Sequence, residues 1–145
     1  MLLPGGGIRA TMSIASVIAV SGLNAAALRL QVSASNVANA QSSGPLPDAA
    51  NAAIYPAAYN ALRVDQTAAA DGGTRATVAA ASPGTVSAFD PGAPHADAQG
   101  MVAAPNVDLL SELIQQLFAR TAFAASAKVI GSDAQMTKSL LDIVV

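Results

Sequence analysis

The stretch SIASVIAVSGLNAAALRLQVSASNVANA, residues 13–40, decides how this chain folds. Ala19, Leu23, Ala26, Leu30, Ser33, Val37 and Ala40 recur in it at alternating four- and three-residue steps. That spacing turns one face of a helix toward a partner every 3.5 residues, so residues 12–40 are expected to form one coiled-coil helix. The seam residues are small. Two helices can then approach closely, although each pair buries little apolar area. A second stripe, Val20, Ala27 and Ala34, lies off the seam and asks for a second partner. Gly22 costs about 1 kcal/mol relative to alanine inside a helix and marks a kink or a close contact.

Working outward, Pro4 and Gly5-Gly6-Gly7 make residues 1–11 a disordered lead. Beyond the helix, Ser42-Ser43-Gly44-Pro45-Leu46-Pro47 stops it, and residues 41–104 read as an extended, β-rich insert. Tyr59–Thr67 and Thr74–Ala81 alternate as strands do, and Asp71-Gly72-Gly73 supplies turn chemistry between them, which predicts a β-hairpin. Ser82 to Pro105 carries Pro83, Pro91, Pro94 and Pro105 and is expected to be an irregular return path. Residues 105–145 are helical again, with Asn106 as the expected N-cap and Asp108 near the positive helix end. Leu110, Leu113, Ile114, Leu117 and Thr121 form one stripe there. Ala127, Ile130, Ala134, Thr137, Leu141 and Val144 form another, out of phase with the first, so more than one neighbour is needed to bury both. The fold class is therefore mainly α with a small β insert, the two long terminal helices pairing as an antiparallel coiled coil. The expected packing interface is Leu23, Leu30, Val37, Leu110, Leu117, Ile130 and Leu141.

Composition narrows the function. Of 145 residues, 52% are hydrophobic but only 3% aromatic, and alanine supplies 35 of the 76 apolar residues. Alanine buries little area at about 25 cal/mol per Å², so a monomer of this kind offsets its chain entropy poorly without neighbours. The net charge is −2 with no basic block, which leaves nucleic acid without an electrostatic footprint. Cysteine is absent, excluding disulfides and thiolate zinc sites. His95 stands alone in a proline-rich loop near Asp90 and Asp97, too few ligands for a metal, and reads as a solvated loop residue. Asp108 and Glu112, one turn apart, have ordinary explanations as a capping-region acid and an exposed-face acid. Gly5-Gly6-Gly7 lacks the Lys-Ser/Thr of a phosphate cradle, and no hydrolase or metalloprotease motif is present. No catalytic, cofactor or metal role is expected. Arg9 followed by Ile14–Val20 and Ala25-Ala26-Ala27 outlines a secretory leader, but the helical pattern runs on through Leu28, Leu30 and Val37. Ser16, Ser21, Asn24 and Arg29 interrupt any membrane span, so direct membrane insertion is not expected.

Three separated segments resemble one family. Ser21-Gly22-Leu23-Asn24-Ala25 with Ser33-Ala34-Ser35-Asn36-Val37-Ala38-Asn39-Ala40 is similar to the amino-terminal signature of flagellar rod and hook proteins. Pro105-Asn106-Val107-Asp108-Leu109, Glu112 and Phe123 to Ile130 resemble their carboxy-terminal signature. The loop Phe89 to Gly100 resembles that of the proximal rod members. Met101 and Phe123 stand where the family commonly has tyrosine, and Ser126 where it has asparagine. The resemblance implies a structural subunit of the basal-body rod that polymerises through its terminal helices and transmits torque across the periplasm. It also implies export by the flagellar type III apparatus without a cleaved signal. The implied partners are copies of itself, other rod proteins and neighbouring basal-body components. Two alternatives remain at this level: another rod or hook component, and a secreted helical adaptor with a cleaved leader.

Overall fold

The computed structural model describes residues 13–144; the disordered lead expected over residues 1–11 lies outside the described residues. Helix α1 spans Ile14–Asn39. Ser13 caps it from an extended backbone, its Oγ accepting the Ser16 N–H at 3.1 Å and satisfying one free donor of the first turn.

Helix α2 spans Leu109–Val144. Asp108, and not Asn106, caps it. The Asp108 carboxylate accepts the N–H groups of Leu110 at 3.3 Å and Ser111 at 3.2 Å, and also the Ser111 hydroxyl. The Ser111 hydroxyl, then the two N–H groups, hold this carboxyl below its ordinary value. Asn106 sits too early to reach those donors; it gives its side-chain amide to the Pro83 carbonyl at 3.0 Å.

Between the helices lie two antiparallel hairpins. Strand β1 (Leu62–Ala68) pairs with β2 (Thr74–Ala80), from Leu62 opposite Ala80 to Ala68 opposite Thr74. Gly72 and Gly73 take φ of 90° and 84° in the turn, where an L side chain is strained. The return path is not irregular, as its prolines suggested. Strand β3 (Thr85–Phe89) pairs with β4 (Met101–Pro105) in a second hairpin. The prolines are placed where a strand tolerates them: Pro83 precedes β3, Pro91 and Pro94 lie in the loop, and Pro105 ends β4. Asp97 turns the chain back, accepting the N–H groups of Gln99 at 2.9 Å and Met101 at 2.8 Å.

The first hairpin lies along α1. Its turn is held by Ser21 Oγ, which accepts the Thr74 N–H at 3.1 Å and donates to the Ile18 carbonyl at 2.7 Å. The second hairpin joins both helices to one point. Gly44, just after α1, exchanges two hydrogen bonds of 3.0 and 2.9 Å with Ala103 of β4. A Cβ on Gly44 would lie 2.4 Å from the Ala58 nitrogen, so the crossing needs glycine. The core is thin. Among the described residues its buried apolar side chains are Ala19, Ala25, Ala26, Ala61, Ala103 and Ala119, with Val32 and Val102.

Candidate assembly interface

Small and polar side chains meet where α1 touches α2. Ser16 Oγ donates to Asp133 Oδ2 at 2.5 Å, and Ser33 Oγ donates to the Glu112 carbonyl at 3.1 Å. Midway, Gly22 lies so close to α2 that an added Cβ would meet Ser126 Oγ at 2.9 Å. Gly22 is thus a close contact, one of the two outcomes its sequence position allowed. Residue numbers rise along α1 as they fall along α2. Glu112, Ala119, Ser126 and Asp133 supply the contact from α2 at intervals of seven. The Asp133 carboxyl is held below its ordinary value, first by the Ser16 hydroxyl and then by that of Ser13.

Asn36 closes the far end. Its side chain is 2% exposed and uses both of its polar atoms. Nδ2 donates to the Leu62 carbonyl at 2.8 Å and to Glu112 Oε1 at 2.6 Å. Oδ1 accepts the Leu62 N–H and the Tyr59 hydroxyl, each at 3.0 Å. One amide therefore ties α1 to the start of β1 and to the first turn of α2. Buried polar groups are costly unless paired, and this one is fully paired. Glu112 is accordingly half-buried and bonded rather than an exposed-face acid.

The seven residues expected at the interface divide. Leu23, Val37 and Ile130 are half-buried, and Leu30 is 39% exposed. Leu110, Leu117 and Leu141 are 66%, 63% and 63% exposed. Leu30 and Leu117 come together on an open apolar groove of about 920 Å³ between the helices, beside Ala26, Ala27, Ala34 and Phe123. Leu110 and Leu141 lie at opposite ends of α2. Asn36, Ser126 and Asp133 were not singled out for this contact by their sequence; the signal of Ser126 and Asp133 was the seven-residue period on α2, hidden because polar residues are read as solvent-facing. His95 is half-buried rather than solvated, with Nε2 3.0 Å from Ser43 Oγ and its ring 6.0 Å from that of Tyr55.

Residues 18–45 match the family described as "Flagella basal body rod protein", and residues 98–143 match "Flagellar basal body rod FlgEFG protein C-terminal". The chain is 37% identical to the flagellar basal-body rod protein FlgC of Yersinia enterocolitica, covering 86% of this chain and 88% of the relative. The chain belongs to the FlgC family of flagellar basal-body rod proteins. FlgC of Salmonella typhimurium is 35% identical over 85% of this chain and 91% of its own. FlgC of Agrobacterium fabrum is 30% identical over 91% and 94%. As a FlgC-family member the chain is a structural rod subunit and not an enzyme. The two segments that match rod families hold Ser33, Asn36 and Gly44 on one side and β4, Glu112, Ser126 and Asp133 on the other. On the α1 side the matched sequence takes in Gly22, Ser33 and Asn36 but not Ser16, and the β1–β2 hairpin lies outside both segments.

Proposed function

We propose that α1 and α2 act as an antiparallel coiled-coil pair, and that copies of this pair polymerise into the proximal part of the rod, which carries motor torque across the periplasm. One observation supports this above others: the helix pair hides alanine, serine and glycine while its large side chains stay outside. Leu110, Leu113, Leu117 and Phe118 are each about 60% exposed or more. Fully burying such a side chain is worth about 1.5–3 kcal/mol, so neighbouring subunits offer what the monomer lacks. Contacts that are heterologous and do not close generate an open filament. Partners under this reading are further copies of the chain, other rod proteins and adjoining basal-body components. A thin core suits passage through the flagellar type III export apparatus in an unfolded state, without a cleaved signal.

By length and composition α1 could also cross a membrane. Its buried Ser16, Ser33 and Asn36 argue for the rod, since each is satisfied by another part of the chain. The deciding experiment is Leu30→Asp. The variant is expected to be exported yet to leave cells without rods and non-motile; a motile strain carrying it overturns the proposed seam.

A further inference from the structure

The second hairpin leaves its two outer edges in opposite states. Asn106 gives its N–H to the Gly84 carbonyl at 3.0 Å, and Asp90 gives its own to the Gly100 carbonyl at 2.9 Å. Those bonds fix the alternation along the ladder. Val86 and Ala88 face β4, whereas Thr85, Ser87 and Phe89 turn N–H and C=O outward. On β4 the outward residues are Met101, Ala103 and Pro105, and each is satisfied. Met101 donates to Asp97 Oδ1 at 2.8 Å, and its carbonyl accepts the Asp97 N–H at 3.0 Å. Ala103 is bonded to Gly44; Pro105 has no N–H, and its carbonyl accepts the Val107 N–H at 2.9 Å. On β3, among the described residues, no group bonds the outward N–H and C=O of Thr85, Ser87 or Phe89.

The open edge also lacks the charges that keep edge strands from pairing. β1 carries Arg63 and Asp65 and β2 carries Arg75, but Thr85-Val86-Ser87-Ala88-Phe89 carries none. Val86 is 42% exposed and Phe89 71%. We infer that β3 pairs antiparallel with β3 of a second copy, about a two-fold axis at Ser87, to make a four-stranded sheet. The register is self-complementary. Ser87 exchanges both bonds with Ser87 of the second copy, and Thr85 with Phe89 of the second copy, about six hydrogen bonds in all. Thr85 against Phe89 is a favourable β-branched and aromatic pair, and no like charges are opposed. Pro83 and Pro91 bound the pairing at its two ends. The outer edges of the new sheet are the two closed β4 edges, so growth stops at two chains. A two-fold contact cannot extend a head-to-tail filament, so the pair belongs to chains outside the rod and does not rest on the rod reading. It covers an edge that would otherwise recruit other strands. Five-residue edges bury less than the roughly 1,200–2,000 Å² of a stable complex, so the dimer is weak and concentration-dependent.

The purified full chain is followed by sedimentation equilibrium at rising concentration, and a monomer–dimer equilibrium is expected. Ser87→Lys and Ser87→Glu each set like charges face to face at the axis and should weaken the dimer severalfold. An equal mixture of the two variants should recover it, because each lysine then meets a glutamate. The chain has no cysteine, so Ser87→Cys can be trapped cleanly. Its Cα would lie about 5.5 Å from its counterpart, inside the roughly 4.4–6.8 Å that a disulfide spans. Oxidised Ser87→Cys should therefore run as a dimer without reductant. Phe89→Cys, at a site 71% exposed but about 14 Å along the strand from its counterpart, should stay monomeric. Equal trapping of both cysteine variants overturns the register. A chain that is monomeric up to its solubility limit, or charge variants that associate as the unaltered chain does, overturns the pairing and leaves the rod reading intact.

Discussion

Asn36→Ala is expected to be among the most damaging single changes in the chain, although it removes a small polar side chain from an alanine-rich helix. Propensity alone would favour alanine there by a few tenths of a kcal/mol. Against that stand four hydrogen bonds of 2.6–3.0 Å. Three join neutral groups, each worth about 0.5–1.5 kcal/mol net, and the one to Glu112 involves a carboxylate, worth about 1.5–3 kcal/mol. Tyr59 and Glu112 are half-buried, so water recovers part of the loss. A net cost of roughly 3–5 kcal/mol follows, a large share of the 5–15 kcal/mol that holds a typical domain together. With a urea slope near 2 kcal/mol per M, the unfolding midpoint of the full chain, followed by far-ultraviolet circular dichroism, should fall by roughly 2 M. A double-mutant cycle isolates the link between helices: Asn36→Ala and Glu112→Ala should couple by about 1–2 kcal/mol. A midpoint drop under about 0.5 M, or an additive cycle, would refute the claim that this amide joins three elements.

Gly44→Ala should destabilise by about 2–3 kcal/mol on the same assay, because the new Cβ meets backbone atoms of Ala57 and Ala58 that have no rotamer to yield. Gly131→Ala should do the reverse and stabilise by about 1 kcal/mol, since this helical glycine has nothing within 4 Å of its Cβ position. Acid should loosen the ends of the helix pair. Asp108 and Asp133 both lie below the ordinary 3.8 when folded, so their stabilisation is complete above that pH and is lost as the pH falls through their lower folded values. The double variant Asp108→Asn/Asp133→Asn should therefore lose less helical signal than the unaltered chain in an acid titration below about pH 4.

The two helices and the first hairpin were legible because each repeats a simple period. Residues 13–40 carry heptad steps and fold as Ile14–Asn39; Leu62, Val64 and Gln66 alternate and pair as β1. The second hairpin was not. Four prolines signal irregular chain, and Val102-Ala103-Ala104 is too short and too alanine-rich to announce a strand. What holds β4 is remote, namely the Gly44 bridge from the end of α1 and the pairing with β3. The α2 side of the helix contact was hidden differently. Leu110, Leu113 and Leu117 make the stronger stripe, and hydrophobic periodicity selects it, but that stripe faces outward. In a chain whose large side chains stay exposed, the most apolar face is the wrong guide to the internal contact.

That inversion has a physical logic. Small residues such as Ala19, Ala26 and Ala119 let two helices approach, but they do not by themselves distinguish one register from the next. The polar contacts remove the ambiguity. Slipped by one heptad, Asn36 faces Ala119 in place of Glu112, and its Nδ2 loses the carboxylate it now reaches at 2.6 Å. Gly22 then faces Asp133 in place of Ser126, and Ser16 loses the Asp133 oxygen. Each is a loss of a specific pairing and not of apolar area, and a buried polar residue at a coiled-coil seam fixes register in this way. Close approach comes from the alanines, register from Ser16, Gly22 and Asn36. The large side chains are excluded from both tasks and stay exposed.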